Sequence, residues 1–441
     1  MQFSHVNHTE VNPIAWAKQF DQPGQNQKGI DVFIDPKELY QTFLGVGASF
    51  SELGYRALSA LSEPDQDGLF KRLFDQAGAN LNYCRMPIGA SDFAFSAYSL
   101  NDHAGDMEMH EFSVDADKKC LIPFIKGAMK YRPNLKIHAS PWSPPAWLKD
   151  NNSMTDGGQL KDASAKRAYA KYLVSFVEQY RCEGIDVFRL LLQNEPDSAA
   201  CFPSCMMPPA EMSDFYLHYL RPEMRARRVD FEVFAGTFRG INSMWANDCA
   251  RDHEFFEAID GFGFQYCPTE KIYEFTRKYL GKPIMHTESV CYDGQNTSEQ
   301  ALSLFLDFID YMNAGCEIYT YWNMILGKDS RSTWGWAQNS LVTVDEKTRS
   351  SQYNPDYKIV YLISHAIPSG ATRTFSLCSS RRTVAFLKDD KVILLVANID
   401  DEPVNVNIRI ADQTLHAVLA PNSANALTLQ SIDGHYSMCE E

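Results

Sequence analysis

The chain reads as an α/β fold, a (β/α)8 TIM barrel with an appended β-sandwich formed by the C-terminal segment and part of the N-terminus, on three observations. Short apolar segments alternate with longer amphipathic ones from about Gln41 to Trp322, the pattern of parallel strands joined by crossover helices. Eight of the short segments are strand-like, and eight parallel strands favour barrel closure. Beyond His365-Ala-Ile-Pro-Ser-Gly370 the texture changes to alternating runs broken by polar turns such as Lys388-Asp-Asp390 and Asp400-Asp-Glu402, which mark an antiparallel β domain.

The expected barrel strands centre on Phe43–Gly47, Asn82–Pro87, Lys136–Ser140, Phe188–Gln193, Phe231–Thr237, Gly261–Tyr266, Pro283–Glu288 and Glu317–Trp322. Helices are expected between them, for example over Ala163–Tyr180 and Glu299–Met312. In the first, Tyr169, Tyr172, Leu173, Phe176 and Tyr180 recur at helical spacing and are expected in the core. Helix-to-strand connections such as Arg132-Pro-Asn134 and Gly281-Lys282 are short. The stretches Met86–His110, Pro141–Lys161, Pro196–Ala210 and Asn323–Asn354, which follow strands, are long. Long loops there enlarge the strand C-terminal rim, where barrel chemistry sits. Further strands are expected over Thr383–Leu387, Lys391–Val396 and Val404–Ile408. Residues 1–40, including Ile30-Asp-Val-Phe-Ile34, are too few to fold alone and are expected to lend strands to that sheet. The expected division is therefore 1–40, a barrel over 41–367, and a sandwich over 368–441.

At 441 residues and 45% hydrophobic the composition is globular. No apolar stretch approaches the ~20 residues of a membrane span, so none is expected. The net charge of −15, with no basic stripe, opposes nucleic acid and anionic lipid and favours neutral ligands. The run from Met1 to Glu10 has no basic segment followed by an apolar one, so the cytoplasm is the expected compartment. Eleven cysteines without repeating spacing are expected as reduced core thiols, with Cys201 and Cys205 in an ordinary loop. His138 and His286 are expected as hydrogen-bonded core residues, and the missing ligand spacings predict no metal and no other cofactor. Gly45-x-Gly47 lacks the third glycine of a nucleotide loop, and tight packing at the first strand explains it better. Nothing in the chain specifies an oligomeric state.

Chemistry enters with two glutamates. Glu195 ends the run Phe188-Arg-Leu-Leu-Leu-Gln-Asn-Glu-Pro196. A carboxylate at the edge of a buried strand loses hydration, so its pKa shifts or partners compensate. Glu288 ends Pro283-Ile-Met-His-Thr-Glu288, and only a closed or strongly curved fold brings the two together. Two converging carboxyls suggest glycoside hydrolysis. Asn194 is suited to bind a sugar 2-hydroxyl, the alternative being a strand-end cap. Trp142, Trp147, Trp322, Trp334 and Trp336 lie in or beside rim loops. Trp142 and Trp322 are expected to stack on a pyranose, while Trp147, and Trp334 or Trp336, pack the loops.

The motifs Gly45-Val-Gly-Ala-Ser-Phe-Ser51, Arg85-Met-Pro-Ile-Gly-Ala-Ser-Asp-Phe93, Ala139-Ser-Pro-Trp-Ser-Pro-Pro-Ala-Trp147, Gln193-Asn-Glu-Pro196 and Thr287-Glu288 fall in barrel order. With them the chain resembles glycoside hydrolase family 30, the group that includes glucosylceramidases, β-glucosidases, β-xylosidases and β-1,6-glucanases. The resemblance covers nearly the whole chain. It implies a retaining β-glycosidase, a carbohydrate or glycoside substrate, Glu195 as acid/base, Glu288 as nucleophile, Arg85 and Tyr266 beside the nucleophile, and Asp92 as a hydroxyl-binding acid. A turn-stabilising role is the alternative for Asp92. The acid must keep its proton near neutral pH, and the adjacent carboxylate is expected to set that property. Two departures bear on substrate: Phe264 stands where many glucosylceramidase-like relatives carry histidine, and Ser289-Val-Cys-Tyr-Asp-Gly294 differs from the Ala-Cys type. β-Glucosides are the expected substrates, with β-xylosidase, β-fucosidase and β-1,6-glucanase as alternatives. A non-catalytic carbohydrate-binding barrel would not need both glutamates, and an inverting route would need a wider carboxyl gap.

Overall fold

The computed structural model describes residues 29–240, 244–380 and 382–439. The first strand, β1 (Gly29–Phe43), belongs to the sandwich and runs directly into the barrel, whose strands are β2 (Gly45–Ser49), β3 (Tyr83–Ile88), β4 (Lys136–Pro141), β5 (Val187–Leu191), β6 (Glu232–Phe238), β7 (Gly261–Gln265), β8 (Ile284–Glu288) and β9 (Ile318–Asn323). Each pairs in parallel with the next, and β9 returns to β2. Between β8 and β9 the Glu317 amide donates to the Ile284 carbonyl and the Ser289 amide to the Thr320 carbonyl, both at 3.0 Å, which closes the cylinder. The strands are buried almost end to end, as parallel strands must be when helices cover their outer face.

Two glycines make the first strand fit. A Cβ on Gly47 would lie 1.7 Å from the Tyr83 carbonyl oxygen, and one on Gly45, at φ +153°, would lie 2.1 Å from the Asn82 side chain. Close backbone approach, with no nucleotide loop, accounts for the Gly-x-Gly pattern. The helix Ala163–Cys182 packs its expected aromatic stripe inward, with Tyr169, Tyr172, Phe176 and Tyr180 fully buried.

The stretch after β9 is more ordered than the expected loop. It forms a three-stranded sheet of β10 (Ile325–Gly327), β11 (Val342–Asp345) and β12 (Ser350–Tyr353) standing on the rim. These strands have three or four residues each, too few for a period-2 pattern to stand out.

The remaining strands are β13 (Ala371–Cys378), β14 (Thr383–Lys388), β15 (Lys391–Asn398), β16 (Val404–Ile410), β17 (Gln413–Leu419), β18 (Ser423–Ile432) and β19 (His435–Met438). With β1 they form one sheet in the order β17-β16-β1-β13-β14-β15-β18-β19. The sheet folds back on itself as a sandwich, so that the Tyr436 amide on one edge donates to Gln413 Oε1 on the other at 2.6 Å. Val32, Val392, Leu394, Val406, Ile408 and Leu427 fill its interior. Because β1 lies between β13 and β16, the N-terminal segment does contribute a strand. The part of the expected 1–40 unit before Gly29 lies outside the described residues. The other face of the sandwich joins the barrel core: Phe43 packs 6.0 Å from Phe308 of the helix Ser298–Ala314 and 5.7 Å from Phe386 of β14.

All eleven cysteines are free thiols, but Cys182 and Cys201 are exposed and Cys439 is half-buried, so these three are not core residues as expected. Among the described residues no helix is long and apolar enough to cross a membrane, and no cluster of three His, Cys, Asp or Glu side chains is arranged to hold a metal ion. His138 departs from expectation, while His286 is a hydrogen-bonded core residue as expected. Neither ring nitrogen of buried His138 has a protein partner, and burial with the charges of Arg85 and Arg189 holds the ring neutral. His286 accepts from the Thr320 amide at 3.3 Å and otherwise stacks on Tyr319 at 4.0 Å.

Replacing Gly47 with Ala should force β2 away from β3 and lower the melting temperature, with an overpacking cost of at least ~1–3 kcal/mol. Calorimetry reads this directly, and an unchanged transition would contradict the packing account.

Candidate active site

The strand C-terminal ends deliver a polar network into the barrel mouth, organised by Arg85 of β3. Its guanidinium is wholly buried and uses all five N–H groups. Nη1 donates to Glu288 Oε2 at 2.5 Å and to the Thr287 carbonyl at 3.1 Å. Nη2 donates to Asn194 Oδ1 at 2.7 Å and to Ser140 Oγ at 2.8 Å, and Nε reaches the same Ser140 oxygen at 3.2 Å. A buried cation is tolerable only when paired and fully hydrogen-bonded, and Glu288 is the pairing charge. Tyr266, immediately after β7, donates its hydroxyl to the second Glu288 oxygen. Burial, then the charges of Glu288 and Glu195, push that phenol well above its ordinary range, so it stays a donor.

Glu195 has different surroundings. Its backbone N–H donates to Thr237 Oγ1 at 2.9 Å, and that hydroxyl donates to Asn194 Oδ1 at 3.0 Å. Asn194 Oδ1 thus faces Arg85 and Thr237, which orients the amide with Nδ2 turned away from the cation. Burial first, and the Glu288 carboxylate second, raise the Glu195 carboxyl to about 7; the Arg239 charge and the Gln265 amide pull it back. The expectation that the neighbouring carboxylate sets this property is corrected: desolvation is the larger cause. Arg239 Nη1 lies 3.5 Å from Glu195 Oε2, and its Nε lies 3.4 Å from Asp197 Oδ1.

Gln265, the last residue of β7, ties the two acids together. Its Nε2 lies 3.2 Å from Glu195 Oε1 and 3.3 Å from Glu288 Oε2. Those two oxygens are therefore no further apart than the sum of the two distances. Glu195 and Tyr266 hold left-handed backbone, at φ +43° and +52°. Such conformations cost on the order of 1–3 kcal/mol each for residues other than glycine and cluster at functional sites.

Asp92, in the loop after β3, is buried, and burial together with Glu288 and Glu195 pushes its carboxyl well above the usual range. Trp142 and Trp322 take another form than the open sugar platform expected. Their rings stack on each other at 5.4 Å and cover the guanidinium, 4.6 and 5.6 Å from it, each only 1% exposed. Trp322 presents an edge instead: its Nε1–H is buried with no protein acceptor. Trp147 packs its loop by donating to the Asn101 carbonyl at 2.9 Å. Trp336 meets Phe202 edge-on at 5.5 Å. Phe264 faces the helix layer, 5.3 Å from Phe275, so the histidine-to-phenylalanine departure does not reach the site.

Sequence reasoning missed Ser140, Thr237, Arg239 and Gln265. The available signal was position: Ser140, Thr237 and Gln265 are polar residues in the last two positions of barrel strands. Arg239 follows β6 by one residue.

Paired carboxyls across the mouth of a closed eight-stranded barrel, one beside a buried cation and one held near neutrality by burial, define a glycoside hydrolase site. Residues 43–365 match the model of the glycosyl hydrolase family 30 TIM-barrel domain, and the chain belongs to that family. "Putative glucosylceramidase 1" of Caenorhabditis elegans is 30% identical over 392 residues, 82% of this chain and 75% of its own length. "Endo-1,6-beta-D-glucanase neg1" of Aspergillus fumigatus is 29% identical over 212 residues, 44% of this chain and 43% of its own. Among solved structures, SrfJ from Salmonella typhimurium superposes with a TM-score of 0.85 at 24% identity, covering 94% of this chain and 95% of that one. The superposition shows a shared fold, and the family match carries the glycosidase class.

Replacing Arg85 with Met should leave Glu288 buried without its cation. Breaking a buried pair in this way costs ~3–5 kcal/mol. Thermal unfolding should report that loss, whereas a surface-like effect below ~1 kcal/mol would contradict the network as described.

Proposed function

We propose that this chain is a retaining β-glycosidase acting on β-glucosides, with Glu195 as the acid/base and Glu288 as the nucleophile. The observation that carries the reading is the single Gln265 nitrogen shared by both carboxyls. Its two contacts bring one oxygen of each carboxyl to the same donor, a close approach that suits the ~5–5.5 Å spacing of retaining pairs better than the ~6.5–9.5 Å of inverting ones.

The surroundings suit the two roles. Glu288, held by the Arg85 charge and the Tyr266 hydroxyl, is a carboxylate positioned to attack the anomeric carbon. Glu195, with its carboxyl raised to about 7, keeps the proton that it passes to the glycosidic oxygen as the aglycone leaves as an alcohol. Once Glu288 is esterified by the sugar its negative charge is gone. Arg239 then favours ionised Glu195, which takes a proton from the attacking water, and hydroxide addition at the anomeric carbon frees Glu288. Hydroxyl recognition is supported by buried polar atoms lacking protein partners, including Trp322 Nε1, Gln193 Oε1 and Asn323 Oδ1. Buried groups of this kind are what a hydroxylated ligand satisfies. Asn194 Nδ2 is oriented to serve the sugar 2-hydroxyl, and Asp92 a further hydroxyl.

A second reading, hydrolysis of a β-1,6-linked glucan, is favoured by the similarity to the Aspergillus glucanase. Comparing an aryl β-glucoside with the β-xyloside, β-fucoside, β-galactoside and a β-1,6-gluco-oligosaccharide separates the two.

Glu195→Gln should cut turnover of an alkyl β-glucoside by ~10²–10⁴-fold yet nearly spare the first step on a dinitrophenyl β-glucoside, whose leaving group needs no proton. Equal losses on both would remove Glu195 from the acid role. Because the acid form is required, kcat/KM should fall as pH rises through about 7. Arg239→Met, by removing a charge that favours ionised Glu195, should move that limb to higher pH and slow the second step more than the first, read as a larger pre-steady-state burst. An unmoved limb would refute this part for Arg239.

A further inference from the structure

The rim sheet encloses a cleft of about 460 Å³ between the turn Gly294–Asn296 and strands β10, β11 and β12. That size falls in the range of small-molecule sites, ~300–1,000 Å³. Its lining is made of amides and hydroxyls, among them Asn296, Gln338, Thr343, Ser351, Gln352 and Asn354. The lining's only charged side chains, Lys328 and Asp345, pair with each other at 3.1 Å, so the cleft offers no net charge to an ion. Leu326 and Ala337 are its only apolar side chains, too little surface for a lipid tail. What remains is a neutral surface of alternating donors and acceptors, the chemistry that holds a polyhydroxylated ligand.

The polar groups are fixed in place. Asn354 Nδ2 donates to the Ser340 carbonyl at 2.7 Å and to Thr343 Oγ1 at 2.8 Å. Asn296 Oδ1 accepts from the Ser340 amide at 3.0 Å while its Nδ2 donates to the Gly294 carbonyl at 3.0 Å. The cleft also shares a wall with the catalytic floor: Gln338 Oε1 accepts from Asn323 Nδ2 at 2.7 Å, and Asn323 follows Trp322 on β9. Asn323 Oδ1 is buried with no protein partner.

We propose that this cleft is a second saccharide site, holding a neutral β-linked gluco-oligosaccharide beside the catalytic centre without contributing to bond cleavage. The proposal rests on the β-glucoside reading proposed above and not on the roles of Glu195 and Glu288. Pre-organised amides and a neutral lining lower the ordering cost of a flexible sugar.

The test compares the full chain with Ser351→Trp, which fills the cleft from an exposed strand, and with Gln352→Trp as a second exposed position. Laminaritetraose and gentiotetraose are the probes, titrated calorimetrically in a Glu288→Gln background that halts turnover. At least a fivefold weaker tetraose affinity in either Trp variant is expected, with aryl β-glucoside kcat/KM in the otherwise native chain within twofold. Failure of both tetraoses to bind, or unchanged affinity in both variants, overturns the proposal. Should Glu288→Gln leave turnover intact, the catalytic reading fails instead, and the affinity difference between filled and open clefts still decides this one.

Discussion

A single buried cation organises the mouth of the barrel. Arg85 has no water to satisfy it, so each of its five donors must find a fixed protein acceptor, and the acceptors come from β4, β8 and the residues that follow β5. Satisfying the guanidinium therefore orients Ser140, Asn194 and Glu288 at once. The constraint passes on through Asn194 to Thr237, and from Thr237 to the backbone of Glu195. Two tryptophan rings cover the cation, which strengthens these contacts by keeping the local dielectric low. Remove the charge and five strand ends lose their common reference.

The same arrangement separates the two glutamates electrostatically although one side chain touches both. Glu288 faces a guanidinium at 2.5 Å and a phenol; Glu195 faces an arginine only at 3.5 Å and lies in a desolvating pocket. The two carboxyls thus sit in different surroundings, and environment is what sets paired carboxyls apart in sites of this kind. Asp92 adds a third carboxyl, and its elevated proton affinity keeps the mouth from accumulating three negative charges around one buried cation.

Much of this was legible beforehand, for identifiable reasons. Parallel barrel strands are nearly continuous apolar runs with acids or amides at one end, so Phe188–Gln193 and Pro283–Glu288 announced both the strands and the rim. The helix Ala163–Cys182 was legible because its aromatics repeat with the helical period. Illegible features depended on spatial neighbours. Gln265 and Thr237 look like unremarkable strand-end polar residues until the barrel closes and places them against Glu195. The Trp142–Trp322 pair could not be distinguished from an open sugar platform, since ring stacking across β4 and β9 leaves no trace in linear spacing. The rim sheet was hidden by the brevity of its strands, and the weight of burial over like-charge repulsion at Glu195 is a property of depth.

Strand β1 gives the molecule an unusual assembly schedule. It leaves the ribosome before any barrel strand, yet its neighbours β13 and β16 lie at Ala371–Cys378 and Val404–Ile410. Pairing across such a sequence separation carries a large loop-closure cost and slows folding. Throughout synthesis of the barrel, Val32 and Ile34 have no sandwich interior to enter, so this nascent strand stays exposed to non-native association until β13 and β16 have been made.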